Sequence, residues 1–243
     1  RLLVHLTAEE ADKEALLPLL RTLGERYPAG GKGEVRFRLV EDIRREGFRS
    51  ASRVNYVARV GNFRTGGFRY TGALRIAQTM LSYGYLWNEI RSKGGAYGCS
   101  VRFGRGGSVV FSSYRDPKLE ATDKVYEGTP AYLEHYEADE REMTKAIIGA
   151  IGEMDTPRSA QMSGQLALAA YYSKVTDEML SAERREVLTA TPADIRALAP
   201  LVREALRYEA KCVIGNESAI ERAEDFFTEI PQLFAKESEE TEA

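Results

Sequence analysis

The chain has 243 residues, 43% of them hydrophobic and 29% charged, so it is long enough for a sizeable core and too apolar for wholesale disorder. Its net charge of −3 sits entirely in the last eight residues, Lys236 to Ala243, which hold four Glu and one Lys; the near-neutral body has no general electrostatic pull on nucleic acid or an anionic membrane. No stretch of 18 apolar residues spans a membrane, and two cysteines and two histidines give neither a disulfide framework nor a self-contained histidine-rich metal site.

Leu2, Val4 and Leu6 alternate with Leu3 and His5 and predict a first strand. Thr7 is then a candidate N-cap, followed by a helix with Leu16, Leu19, Leu20 and Leu23 on one face and an end at Gly24. Tyr27 to Gly33 reads as a loop, and Val35 to Val40 as a short strand. A strand is predicted over Val54 to Val60. Tyr70, Leu74, Ala77 and Leu81 define a helix face, with a break at Gly84 and a further turn through Tyr85, Leu86 and Ile90. The glycine-rich stretch Lys93 to Gly98 leads into two strands, Cys99 to Phe103 and Ser108 to Tyr114, joined by Gly104 to Gly107 as a hairpin.

From Pro117 onward the pattern is helical, over 118–135, 139–152, 157–171, 176–189 and 192–206. Thr191-Pro192-Ala193-Asp194 is a helix start: the hydroxyl caps, proline fits the first position and the carboxylate meets the dipole. Tyr208 to Ile214 predicts a late strand, and Ala219 to Phe227 a last helix. Strands come early in hairpin order, helices gather later and one strand returns. This is an α+β order, and it predicts a two-layer, mostly antiparallel sheet of about six strands with helices on one face. Residues 1–232 are expected to form one domain and 233–243 a disordered acidic tail. The start at Arg1, in what reads as mid-strand, suggests a piece of a longer chain.

Several chemistries fail at the level of motif. There is no His-Glu-X-X-His, no His-X-X-Glu-His, no Gly-X-Ser-X-Gly and no phosphate-binding glycine loop. His135, beside Glu137, Asp139 and Glu140, reads as a solvated polar turn, and His5 as an ordinary strand residue. No zinc site is expected in this chain. Cys99 and Cys212 fall in predicted strands, where a structural thiol is the expectation. Lys32 to Arg53 carries seven cations and four acids, a local excess expected of a solvated surface.

One constellation carries chemistry. Trp87-Asn88-Glu89-Ile90-Arg91-Ser92-Lys93-Gly94-Gly95-Ala96-Tyr97-Gly98 closes a helix and opens a strand. Arg91 suits a helix C-terminus, and the paired glycines allow a tight return. From Arg91 to Arg105 there are four cations and no acid. A guanidinium and a phenol six residues apart, across this turn, can converge on one carbonyl oxygen, as a site that stabilises developing negative charge requires. The same residues also suit a plain helix C-cap with a buried tyrosine.

This stretch, with Tyr70-Thr71-Gly72-Ala73-Leu74 before it, resembles the C-terminal part of the insulinase-like (M16) zinc peptidases, most closely the presequence-protease branch. Weaker similarity lies in Phe111 to Asp116 and in Ala182 to Ile195, and the whole resemblance spans about residues 50 to 215. It implies four homologous α+β domains forming two halves of a clamshell, with zinc in the first domain and none in the last. Carried over, Arg91 would hold a substrate carbonyl and Tyr97 would donate to the scissile carbonyl, with Lys93, Gly94, Gly95 and Ala96 as the substrate-binding loop. The implied partners are the zinc-bearing N-terminal domains of the same protein and a peptide substrate, with neither nucleic acid nor membrane. Zinc would belong to the full-length enzyme, and this chain alone is expected to be inactive. The alternative is an inactive subunit or peptide-binding module that assembles with a separate catalytic partner. The sparse cysteines fit a reducing compartment such as the cytoplasm.

Overall fold

The computed structural model describes residues 3–27 and 42–233. The expected strand over Val35 to Val40, most of the Tyr27 to Gly33 loop, part of the Lys32 to Arg53 basic run and nearly all of the acidic tail lie outside the described residues. The chain divides into two compact units. One comprises residues 1–41 with 155–181, the other 42–154 with 182–243.

The first unit holds helices α1 (Glu10–Arg26) and α5 (Ala160–Ser173), with the start of α6 (Asp177–Leu188). The predicted first strand is not seen in its described part: Leu3 to Leu6 have no sheet partner among the described residues. The Thr7 hydroxyl instead lies against α5 at Gly164. Thr7 is therefore not the cap; Glu9 holds that position, with no side-chain cap.

The second unit is built on a five-stranded sheet in the order β1-β5-β2-β4-β3. Its strands are β1 (Arg45–Ser50), β2 (Asn55–Asn62), β3 (Gly98–Phe103), β4 (Ser108–Asp116) and β5 (Ala210–Asn216). All pairings are antiparallel except β1 with β5. The late strand thus inserts between β1 and β2. Alternation sets the faces: Val57, Arg59, Val101, Phe111, Lys211 and Val213 are buried, while Tyr56, Val60, Tyr114 and Ile214 face out. Helices α2 (Ala73–Met80), α3 (Leu119–Glu134) and α8 (Ala199–Leu206) cover the inner face, and α4 (Glu140–Met154) packs on α2. The fold is the expected α+β arrangement.

Three departures have plain physical causes. The helix expected over 192–206 is two, α7 (Pro192–Arg196) and α8, because Pro200 near the start of α8 has no N–H to continue the ladder. The predicted break at Gly84 does not occur: helical backbone continues from α2 through wide, π-type turns at Leu81–Tyr85 and Trp87–Ser92. Strand β1 escapes the periodicity because Arg45-Glu46-Gly47-Phe48-Arg49-Ser50 has no apolar alternation. It is held by the backbone of β5, and Gly47 and Arg45 also bond to Thr228 and Glu229.

The outer edge of β3 is closed by side chains. Val101 N–H donates to Ser82 Oγ (3.2 Å) and Phe103 N–H to Gln78 Oε1 (3.3 Å).

The polar heart of this unit is a buried ion cluster. Arg59 on β2 donates to Asp123 Oδ2 on α3 (3.0 Å), to Glu127 (2.8 Å) and to the Leu206 carbonyl at the end of α8 (2.9 Å). Lys211, paired with Arg59 across β5, also donates to Asp123 (2.6 Å). Arg59, Asp123 and Lys211 are all buried. Removing one partner leaves charge buried without compensation, at a cost of about 3–5 kcal/mol. Asp123→Ala leaves the buried Lys211 without its carboxylate and Arg59 with only Glu127, and is therefore expected to lower unfolding stability by that order in urea titration. A loss of under ~1 kcal/mol would mean the cluster is not a structural fastening.

Candidate functional site

The glycine-rich turn lies between the last wide turn of the α2 extension and β3. In that turn Lys93 N–H donates to Asn88 O (3.0 Å), five residues back. Such widened turns recur where a helix must present side chains for function. Here they keep Tyr83, Trp87 and Arg91, four residues apart, on one side: the Tyr83 and Trp87 ring centroids are 6.4 Å apart, and the Arg91 guanidinium lies 4.1 Å over the Trp87 ring.

The turn then reverses tightly. A Cβ at Gly94 would sit 2.2 Å from Ile90 O, and Gly95 adopts φ +88°. Neither a side chain nor ordinary L-residue geometry fits this path. Ala96 is buried, and its N–H returns to Ile90 O at 3.1 Å. Lys93 points outward and pairs with Glu89 at 2.6 Å, an exposed i,i+4 contact worth little.

The turn brings Arg91 and Tyr97 together. Arg91 Nη1 donates to the Tyr97 carbonyl at 2.5 Å, and its guanidinium stands 5.5 Å from the Tyr97 ring. Tyr97 is 62% exposed, with its ring on the surface. Among the described residues, no carboxylate pairs with Arg91, so most of its donor fork is free.

Two further residues complete the patch. Tyr114 packs edge-on to Tyr97 (5.7 Å) and to Tyr56 (5.3 Å). Arg115 lies 5.8 Å from the Tyr97 ring and 5.4 Å from the Tyr114 ring. Sequence reasoning assigned no role to either residue, nor to Trp87. The four-residue spacing of Trp87 and Arg91 is a readable signal; the approach of β4 to the turn is not.

The other candidates do not join this site. The His135 ring is exposed and bonds to Ala131 O at 2.9 Å. Cys99 and Cys212 are free and half-buried. Burial, with a smaller contribution from Asp116, pushes the Cys99 thiol up to about 11 despite the opposing pull of Arg91; burial also raises Cys212. Neither is a ready thiolate. Among the described residues no three His, Cys, Asp or Glu side chains form a group that could hold a metal ion. No helix among them is long and apolar enough to cross a membrane.

The fold is that of an M16-peptidase-like domain. An M16 peptidase inactive domain from Pseudomonas fluorescens superposes with TM-score 0.56 at 16% identity, over 86% of this chain and 51% of that one. A protease from Helicobacter pylori gives 0.58 at 15% identity, over 83% and 52%. At such identities the likeness concerns the fold.

The family follows from sequence. Residues 45–217 match the model described as the PreP C-terminal domain, and the chain belongs to that family. It is 42% identical to Protein HypA of Clostridium perfringens over 77% of its own length and 19% of that protein's. To presequence protease 1 (chloroplastic/mitochondrial) of Arabidopsis thaliana it is 34% identical, over 66% and 15%. The chain therefore spans under a fifth of these curated relatives.

Gly94→Ala is expected to destabilise the protein by about 1–3 kcal/mol, because the new methyl meets backbone and the turn must shift. Gly106→Ala, with open space around it, should stay within about 0.5 kcal/mol. Equal unfolding midpoints for the two variants would contradict the tight return.

Proposed function

We propose that this chain is the zinc-free C-terminal domain of a zinc metalloendopeptidase of the presequence-protease branch that degrades peptides. It closes one wall of the chamber and presents Arg91 and Tyr97 to the substrate near the scissile bond, with Lys93 to Ala96 as the supporting loop. Zinc belongs to N-terminal domains of the same protein. Family membership and the small share of each relative that the chain covers support this reading.

The observation that carries it is the Arg91–Tyr97 pair. The guanidinium is fixed by Trp87 below and the Tyr97 carbonyl beside it, with donors left over. Those donors suit a planar amide oxygen of a peptide, since the fork is rigid and always charged. Tyr97 adds a hydroxyl on an exposed ring that is held at its base. A donor aimed at the scissile carbonyl oxygen strengthens its bond as negative charge grows there, which is the condition for lowering a barrier. The fixed ring makes that donor preorganised.

In the full-length protein containing this chain, Tyr97→Phe is expected to lower kcat/KM on a quenched fluorescent peptide by roughly 10²-fold, the order seen when one such donor is deleted. Arg91→Ala should lower it comparably, with zinc content unchanged by elemental analysis. Wild-type turnover in both variants would remove the role.

A further inference from the structure

The second guanidinium of the patch is not explained by that reading. Arg115 sits where β4 bulges: Asn55 pairs with Asp116 and Val57 with Ser113, so β4 carries one extra residue opposite Tyr56. Arg115 itself takes φ +50°, a left-handed conformation that costs a side-chain-bearing residue on the order of 1 kcal/mol. Glycine or asparagine would adopt it more easily.

The surroundings enforce this conformation from both sides. Tyr97 N–H donates to Tyr114 O (3.1 Å). The next residue, Asp116, is fully buried. Its backbone carbonyl takes a bond from Asn55 Nδ2 (2.9 Å), and its carboxylate takes bonds from Lys118 N–H (2.8 Å) and the Thr122 hydroxyl (2.6 Å). The bulge swings Arg115 out beside Tyr97, so the exposed phenol ring stands within 6 Å of two guanidinium groups, Arg91 at 5.5 Å and Arg115 at 5.8 Å.

No carboxylate among the described residues pairs with either arginine, whereas the neighbouring Glu89 is taken by Lys93. The exposed Arg115 fork and the half-buried Arg91 fork, neither neutralised by a described carboxylate, both lie within 6 Å of the Tyr97 ring, and this local excess of positive charge favours an anion. Bulges beside sites commonly re-aim a side chain in this way. Resting on the peptide-site reading above, we infer that Arg115 is a specificity-determining residue: it binds a carboxylate of the peptide, while Arg91 and Tyr97 engage the backbone. The carboxylate is either an acidic side chain or the free C-terminus, since both offer the same two-oxygen acceptor to an arginine fork.

The test uses the full-length protein and three matched quenched fluorescent peptides. One is neutral and C-terminally amidated, one carries Glu in place of a Gln, and one has a free C-terminal carboxylate. Arg115→Gly removes the guanidinium and suits the left-handed backbone, so it should fold with an undiminished melting temperature; Arg115→Asn serves as a second variant of the same kind. The expected result is that the kcat/KM preference for one carboxylate peptide over the neutral peptide falls roughly tenfold or more in both, the scale of losing a hydrogen bond to a charged group. Arg115→Lys should recover part of it. The peptide that loses its preference identifies the source of the carboxylate. Equal losses on all three peptides, or no change of preference, overturn the assignment. Loss of turnover in Arg91→Ala and Tyr97→Phe with an unchanged charge preference in Arg115→Gly would discard only the carboxylate subsite. Wild-type turnover in the first two would discard the peptide-site reading itself.

Discussion

One buried carboxylate organises the larger unit. Asp123 lies between Arg59 of β2 and Lys211 of β5, and Arg59 also reaches the last carbonyl of α8. Four elements distant in sequence are thus referred to one point. Hydrophobic burial supplies most of the driving force, through side chains such as Phe63, Phe111 and Tyr126. Burial is non-directional, however, and would tolerate a shifted helix. A buried ion pair is not tolerant in this way, since a slip leaves charge without a partner. The insertion of the late strand beside β2 is therefore held by charge as well as by backbone pairing.

That frame positions the surface patch through two local irregularities. The wide turns end the helix with Trp87 and Arg91 on the same side, and the β4 bulge delivers Tyr114 and Arg115 from the opposite direction. Tyr97 stands where they meet. Each irregularity gives up regular hydrogen bonding or backbone comfort, and each has recovered it nearby. Ile90 O accepts from Ala96, Asn88 O from Lys93, and the Asp116 carbonyl from Asn55. The aromatic rings and guanidinium groups pack together with no neutralising acid among the described residues, which leaves the patch cationic on an otherwise near-neutral body.

Much of this was legible in residues. The valine-rich run from Val54 to Val60 and the hairpin of β3 and β4 revealed the central sheet, and the Thr191 to Asp194 signal marked a helix start that carries a full capping box. The Arg91 to Tyr97 stretch stood out through its paired glycines and its run of cations without an acid. What stayed hidden depends on tertiary partners. Strand β1 has a charged sequence and exists because β5 supplies its ladder. Leu3 to Leu6 has strand alternation but no sheet neighbour among the described residues. Arg115 gave no sign of a bulge, since arginine is a poor residue for that conformation. The helical stretch 192–206 divides at a proline that periodicity alone ignores.

The closure of β3 has a wider consequence. An edge strand normally offers a row of free amides to which another extended chain can add. Ser82 and Gln78 occupy those amides at Val101 and Phe103. A stray copy or unfolded neighbour thus meets a stretch of rim already spoken for, and the sheet is guarded there against growing by accretion.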